Sequence, residues 1–196
     1  MRNAQKNATA KKILEAAKEI FEAEGFEKGN IRKIAGIAGV SPGSVISHFG
    51  DKQGLLHSAL HEDLEEVLNK QIKKFGKSSL EKDLQNLTNA VFQYYQKRPK
   101  LSRILLKESL FADPPWTIKF ASQTGKVHTA ISEICEASKR KGSLKDSVNC
   151  SIFAASYLSF FYFNLIAWTQ GAYDNPTGLV NKMTEEYIQN LRKEQQ

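Results

Sequence analysis

Apolar residues along this chain return every three or four positions, and no segment shows the strict alternation of a half-buried strand. Ile13, Leu14, Ala17, Ile20 and Phe21 make a first stripe that stops at Gly25, with Phe26 behind it. Ile31, Ile34, Ala35 and Ala38 make a second, opened by Asn30 as a cap and closed by Gly39. Ser41 caps a third short helix with Pro42 at its first position, where a missing N–H costs nothing. Gly50 closes it, and Asp51 caps a fourth helix whose stripe runs through Leu55, Leu56, Leu60, Leu64, Leu68 and Phe75. The glycines and the proline of "IAGIAGVSPGSVISHFGDKQGLL" are therefore stops between short helices.

Further on the stripes lengthen. "SSLE" at Ser78 to Glu81 reads as a capping box ahead of Leu84, Leu87, Val91 and Tyr95. Pro99 restarts the chain into Leu101, Ile104 and Leu105, and Pro114 with Pro115 breaks it again before Trp116. Gly142 and Ser143 end that helix, an aromatic one follows at 147–169, and "NPTG" turns into a last helix at 177–191. The expected fold is all-α, about nine helices with no sheet and no internal repeat.

The second and third helices, joined at Gly39, have the layout of a helix-turn-helix with Ile34, Ala35, Ala38, Val40, Val45 and Phe49 as its small core. A positive φ at the turn is cheap only for glycine. "ILEAAKEIFEAEGF" followed by "IRKIAGIAGVSPGSVISHFGDKQGLL" resembles the DNA-binding region of TetR-type bacterial transcription regulators. The features carrying it are the Ile-x-x-Ala-Ala opening, the Phe-x-x-x-Gly-Phe end of the first helix, the Ile-Arg-x-Ile-Ala second helix, the Gly-Val-Ser turn, the His-Phe pair, and the Lys that starts helix four. The resemblance implies a helix-turn-helix DNA-binding head at 1–52 and an effector-binding and dimerisation body at 53–196. It also implies a homodimer formed through the last two helices, and an unidentified small-molecule effector. Four positions depart from the family pattern. Ile46 and Ser47 stand where two aromatics are common, Ile46 in the place of a phosphate-binding tyrosine, Gly29 where a threonine is frequent, and Lys33 where an acid is common.

A recognition helix offers its N-terminal half to base edges in the major groove. Here that half is Ser41, Pro42, Gly43 and Ser44, with Ser47 one turn on, and none of these can make a bidentate base contact. Base reading is therefore expected from Arg32, from Pro42 against thymine methyls, and from DNA shape, with a phosphate contact as the alternative for Arg32. Ser44, Ser47, His48 and Lys52 are expected to position the head on phosphates. An acid-free stretch holding Arg2, Lys6, Lys11 and Lys12 is either an arm for a flanking groove or a basic tail. The partner would be a near-palindromic duplex operator, with the two heads roughly 34–36 Å apart.

In the body, Phe92, Leu105, Phe120, Tyr157, Phe161 and Asn164 are the candidate lining of an apolar or amphipathic effector site. Asn164 needs a hydrogen-bond partner inside an apolar stripe, and a ligand, a neighbouring helix or the dimer mate would serve. The formal net charge of +7 favours a polyanionic partner. The uncharged segment Ser151–Trp168 is at the lower edge of membrane-spanning length and reads instead as a helix buried between subunits, so no membrane is expected. Cys135 and Cys150 cannot build a disulfide framework and suggest buried thiols in a reducing cytoplasm, with a redox-sensing pair as the alternative. His57 and His61 have metal-ligand spacing, but such pairs on an exposed helix are usually solvated, and no metal or cofactor is assigned. No phosphate loop, nucleophile elbow or zinc-hydrolase motif is present, so no catalytic residue is assigned and an enzyme is not expected. The function read here is a ligand-responsive regulator, most simply a repressor. The rival is a DNA-binding adaptor or architectural protein with no effector.

Overall fold

The computed structural model describes residues 2–111 and 113–193, with side chains from residue 4 onward. Among the described residues there are nine α-helices and no strand, only an isolated bridge pairing Leu144 with Arg192. They are α1 Arg2–Glu24, α2 Ile31–Ala38, α3 Pro42–Phe49, α4 Lys52–Ile72, α5 Leu80–Lys97, α6 Pro99–Leu110, α7 Trp116–Arg140, α8 Cys150–Thr169 and α9 Pro176–Leu191. Packing divides them into two compact units, Met1–Leu64 with Lys97–Thr117, and Glu65–Gln96 with Ile118–Gln196.

In the first unit, α1 lays the predicted face, including Ile13, Ala17 and Phe21, against α2 and α3. Ile34, Ala35, Ala38 and Val45 are buried as expected, with Val40 and Phe49 half-buried. Gly29 is required by packing. A Cβ there would sit 2.7 Å from two ring carbons of the fully buried Phe21, so the threonine frequent in the family cannot be accommodated without displacing that ring. α6 joins the same unit through a cap supplied from α1. The amide of Leu101 donates to the Glu22 carboxylate at 2.7 Å, placing an anion at the positive end of α6. Lys18 is 2 % exposed and bridges Glu15 at 2.8 Å and Asp63 at 2.6 Å, tying α1 to α4. Its ammonium holds the Glu15 carboxyl below the ordinary carboxylate value. The basic stretch is not a separate arm where it is described. Lys6, Lys11 and Lys12 stand exposed on α1 itself, and the Arg2 side chain lies outside the described residues.

The second unit packs α5, α7, α8 and α9 around Leu84, Phe92, Ile131, Phe153, Leu165 and Val180. α8 is uncharged and long and apolar enough to cross a membrane, yet Phe153, Tyr157, Phe161, Asn164 and Leu165 are buried in this unit. Two local expectations are corrected. The capping box at Ser78 does not form, because the cap falls one residue later. The Lys82 amide donates to Ser79 Oγ at 3.2 Å, Ser78 Oγ donates to the buried Asp83, and Glu81 turns to Arg192. The cysteines are not thiols: Cys135 and Cys150 are joined as a disulfide, because the Gly142 turn returns the chain so that α8 begins beside α7, with Cα atoms 5.6 Å apart.

Candidate nucleic-acid interface

The geometry of the head follows from two side-chain caps and one glycine. Asn30 Oδ1 accepts from the Arg32 amide at 2.7 Å and starts α2. At the other end Gly39 takes φ +68°, and the amides of Gly39 and Val40 turn back to the carbonyls of Gly36 and Ala35. Ser41 then caps α3, its Oγ accepting from the Ser44 amide at 3.1 Å. Val45 is buried beneath the turn, so Pro42, Gly43, Ile46 and Ser47 are left on the outer side.

The expected contact residues divide on this frame. Ser41, Pro42, Gly43 and Ser47 are exposed, whereas Ser44 is half-buried with its hydroxyl 3.1 Å from that of Ser41. His48 is half-buried with its ring 5.8 Å from that of Phe49. Arg32 is exposed and has no ion pair among the described residues. Lys33 pairs with Glu24 at 2.8 Å on the surface, an exchangeable contact in water.

Lys52 is placed differently from the expectation. Its ammonium donates to the carbonyls of Phe26 at 2.9 Å and Glu27 at 3.1 Å, and lies 4.5 Å from the centre of the Phe26 ring. It therefore satisfies the chain just past the C-terminal end of α1, where carbonyls lack helical partners. Two exposed apolar residues, Ile37 and Ile46, complete the outer side of the head. Of these, Ile37 escaped the sequence reading, although burial of its neighbours Ile34, Ala35 and Ala38 leaves it no inward direction.

The HSALHED segment also reads differently in three dimensions. His57 is buried, not solvated, with its ring 5.0 Å from that of Trp116 and Nε2 3.8 Å from Glu108. Burial pushes its pKa below the ordinary histidine value, against the opposing pull of Glu108 and Asp51. The unfolded chain thus binds the proton more readily, so stability is full above about pH 6.5 and declines as pH falls through that value. Urea midpoints measured at about pH 7.5 and about pH 5.5 are expected to separate in the wild type and to converge in His57→Gln.

Of the proposed effector-lining residues, Leu105 belongs to the first unit and the other five to the second. Phe92 and Phe161 meet with ring centres 4.8 Å apart. Tyr157 and Thr88 hydrogen-bond at 2.8 Å in the core, where burial drives the phenol pKa well above its ordinary value. Asn164 is satisfied from within: its Nδ2 donates to the Phe160 carbonyl at 2.7 Å, and the Tyr173 hydroxyl donates to its Oδ1. Phe120 is buried in the same unit.

A turn of this geometry beneath an exposed, short-chained helix defines an all-helical protein built to read duplex DNA. Comparison with known proteins agrees: residues 13–59 match the family described as "Bacterial regulatory proteins, tetR family". The HTH-type transcriptional repressor NicS of Pseudomonas putida is 27% identical over 170 residues, 83% of this chain and 79% of that protein. The fatty acid degradation regulator FadR of Bacillus halodurans superposes with TM-score 0.74 at 20% identity, covering 93% of this chain and 99% of that one. FadR of Bacillus subtilis, solved in complex with stearoyl-CoA, gives 0.74 at 18%, covering 92% and 98%. Residues 13–59 thus carry the DNA-binding region described for the tetR family, and the fold of the chain is that of these regulators.

Proposed function

We propose that this regulator is a ligand-released repressor that binds a near-palindromic operator as a homodimer. The functional division is residues 1–52 for DNA and 53–196 for effector and dimer contacts, in a cytoplasmic protein. The observation that carries the reading is the surface of the head, where a capped recognition helix exposes Ser41, Pro42, Gly43 and Ser47, and where Arg32 is exposed with no ion pair among the described residues. Dimerisation through α8 and α9 is supported by Ile152 and Phe163, 58 % and 63 % exposed on the otherwise apolar α8, and by Leu179 on α9. Apolar surface of this kind on an uncharged helix marks a protein contact.

An apolar or amphipathic effector suits the aromatic second unit, and the stearoyl-CoA held by the Bacillus subtilis relative is of that chemistry. Release from DNA requires about 5.5 kcal/mol of differential effector affinity to invert a strongly biased equilibrium. α4, with Lys52–Leu64 in the first unit and Glu65–Ile72 in the second, is one of three covalent crossings between the units and the one through which we propose that bias passes.

Selection of bound duplexes from a random pool tests the reading and is expected to enrich an inverted repeat. On that operator Arg32→Ala should cost roughly 1–3 kcal/mol and relax preference at one base pair per half-site. Lys52→Ala separates the two roles open to that residue. With its bonds directed to Phe26 and Glu27, it should lower folding stability by about 1–3 kcal/mol while leaving the salt dependence of DNA binding unchanged. Enrichment of no repeat, with equal affinity for all duplexes, would support the adaptor reading instead.

A further inference from the structure

The second unit contains a cleft of about 780 Å³ where α5 begins, α7 ends and the chain leaves α9. That volume is within the range of small-molecule sites. Its apolar lining is Leu80 and Leu144, both buried. Three cationic side chains face it, Lys141, Arg192 and Lys193, against one carboxylate, Glu81.

The carboxylate is already engaged. Arg192 donates to Glu81, and although burial pulls the Glu81 carboxyl upward, the bonds from Arg192, from its own amide and from Ser79 take it below the ordinary value. Among the described residues Lys193 is held only by Asp146 at 3.0 Å, a surface pair that water and ligands exchange easily. Lys141 makes no ion pair among the described residues, and the hydroxyls of Ser138 and Ser143 make no side-chain hydrogen bond there. The turn sets these groups close together, because the Ser143 amide donates to the Ser138 carbonyl at 3.1 Å. The lining therefore holds donors in excess of acceptors, with Lys141, Ser138 and Ser143 the uncommitted ones among the described residues.

We propose that this cleft binds a small organic phosphate, the phosphoryl oxygens taken by Lys141, Lys193, Ser138 and Ser143, in a volume larger than a bare phosphate ion fills. A phosphoryl group offers several acceptor oxygens to several donors at once, and lysine serves it as a compact point charge. The site is separate from the aromatic core around Phe92, Tyr157 and Phe161, and its occupancy does not depend on the repressor reading.

Titration calorimetry of the full chain in a phosphate-free buffer, without DNA, tests the assignment. Glycerol phosphate is expected to bind saturably and glycerol not at all. The double variant Lys141→Gln/Ser143→Ala should weaken binding by roughly tenfold or more, with an unchanged melting temperature because both residues are exposed. No saturable binding up to roughly 10 mM probe, or equal binding by the double variant, would overturn the site. Inorganic phosphate binding more tightly than glycerol phosphate would overturn the assignment to an organic phosphate. Binding only to vesicles of phosphatidylglycerol would overturn the assignment to a soluble ligand.

Discussion

Phe163→Glu is expected to convert the protein to a well-folded monomer that no longer holds its operator. Phe163 is 63 % exposed on α8, so the substitution removes nothing from the core of the second unit. In a two-fold interface each residue meets its counterpart's patch, so one substitution places two carboxylates in the same apolar contact. A charge there must be buried without a partner or the interface must open, and opening is cheaper. Loss of the second half-site then costs the effective concentration that the dimer supplies, roughly a hundredfold or more in operator affinity. Sedimentation gives the mass, circular dichroism the fold, and a gel-shift titration the affinity. A dimer that survives Phe163→Glu with full affinity would place the subunit contact elsewhere.

Lys18→Ala should be the most damaging single change in the first unit. The lysine is 2 % exposed and holds carboxylates from its own helix and from α4. Removing one member of a buried charge cluster leaves the others uncompensated, a loss of about 3–5 kcal/mol in fully buried cases. Glu15 and Asp63 keep part of their hydration, with side chains 47 % and 33 % exposed, so a value of about 2–3 kcal/mol is expected. Lys18→Met keeps most of the aliphatic stem in place and should lose less than alanine does. Urea unfolding at unchanged m-value reads the difference directly. An effect within about 0.5 kcal/mol for alanine would mean that the cluster contributes nothing net.

Much of the fold was legible because its signals are local. Helix starts at Asn30, Ser41, Asp51 and Asn175, and stops at Gly25, Gly39, Gly50 and Gly142, follow from capping and left-handed geometry within a few residues. The small core of the head was legible for the same reason, since its stripes have a period of three or four. What the chain hid depends on partners far away in sequence. Nothing near Lys52 announces that its ammonium turns to Phe26 and Glu27, and nothing near Glu22 announces the amide of Leu101, 79 positions on. His57 looked solvated because it was read as half of an exposed pair with His61, while the Trp116 ring that covers it comes from another segment. Asn164 was readable as a polar group in need of partners, but not that Tyr173 and Phe160 would be the ones to supply them. The capping box slipped by one residue because Ser78 and Ser79 compete for the same role, and buried Asp83 decides between them.

The short side chains on the outer half of α3 have an evolutionary consequence. Val45 is the buried anchor of that helix, while Pro42, Gly43 and Ser47 contribute nothing to the interior. A Cβ built at Gly43 would meet only Ser41 Oγ, at 3.8 Å, an ordinary van der Waals distance. Longer readers such as arginine or asparagine can therefore be grafted onto these positions without disturbing the scaffold. On the proposed docking of α3, the lettering of the target and the architecture of the reader would draw on separate residues, so drift could rewrite one while the other stands.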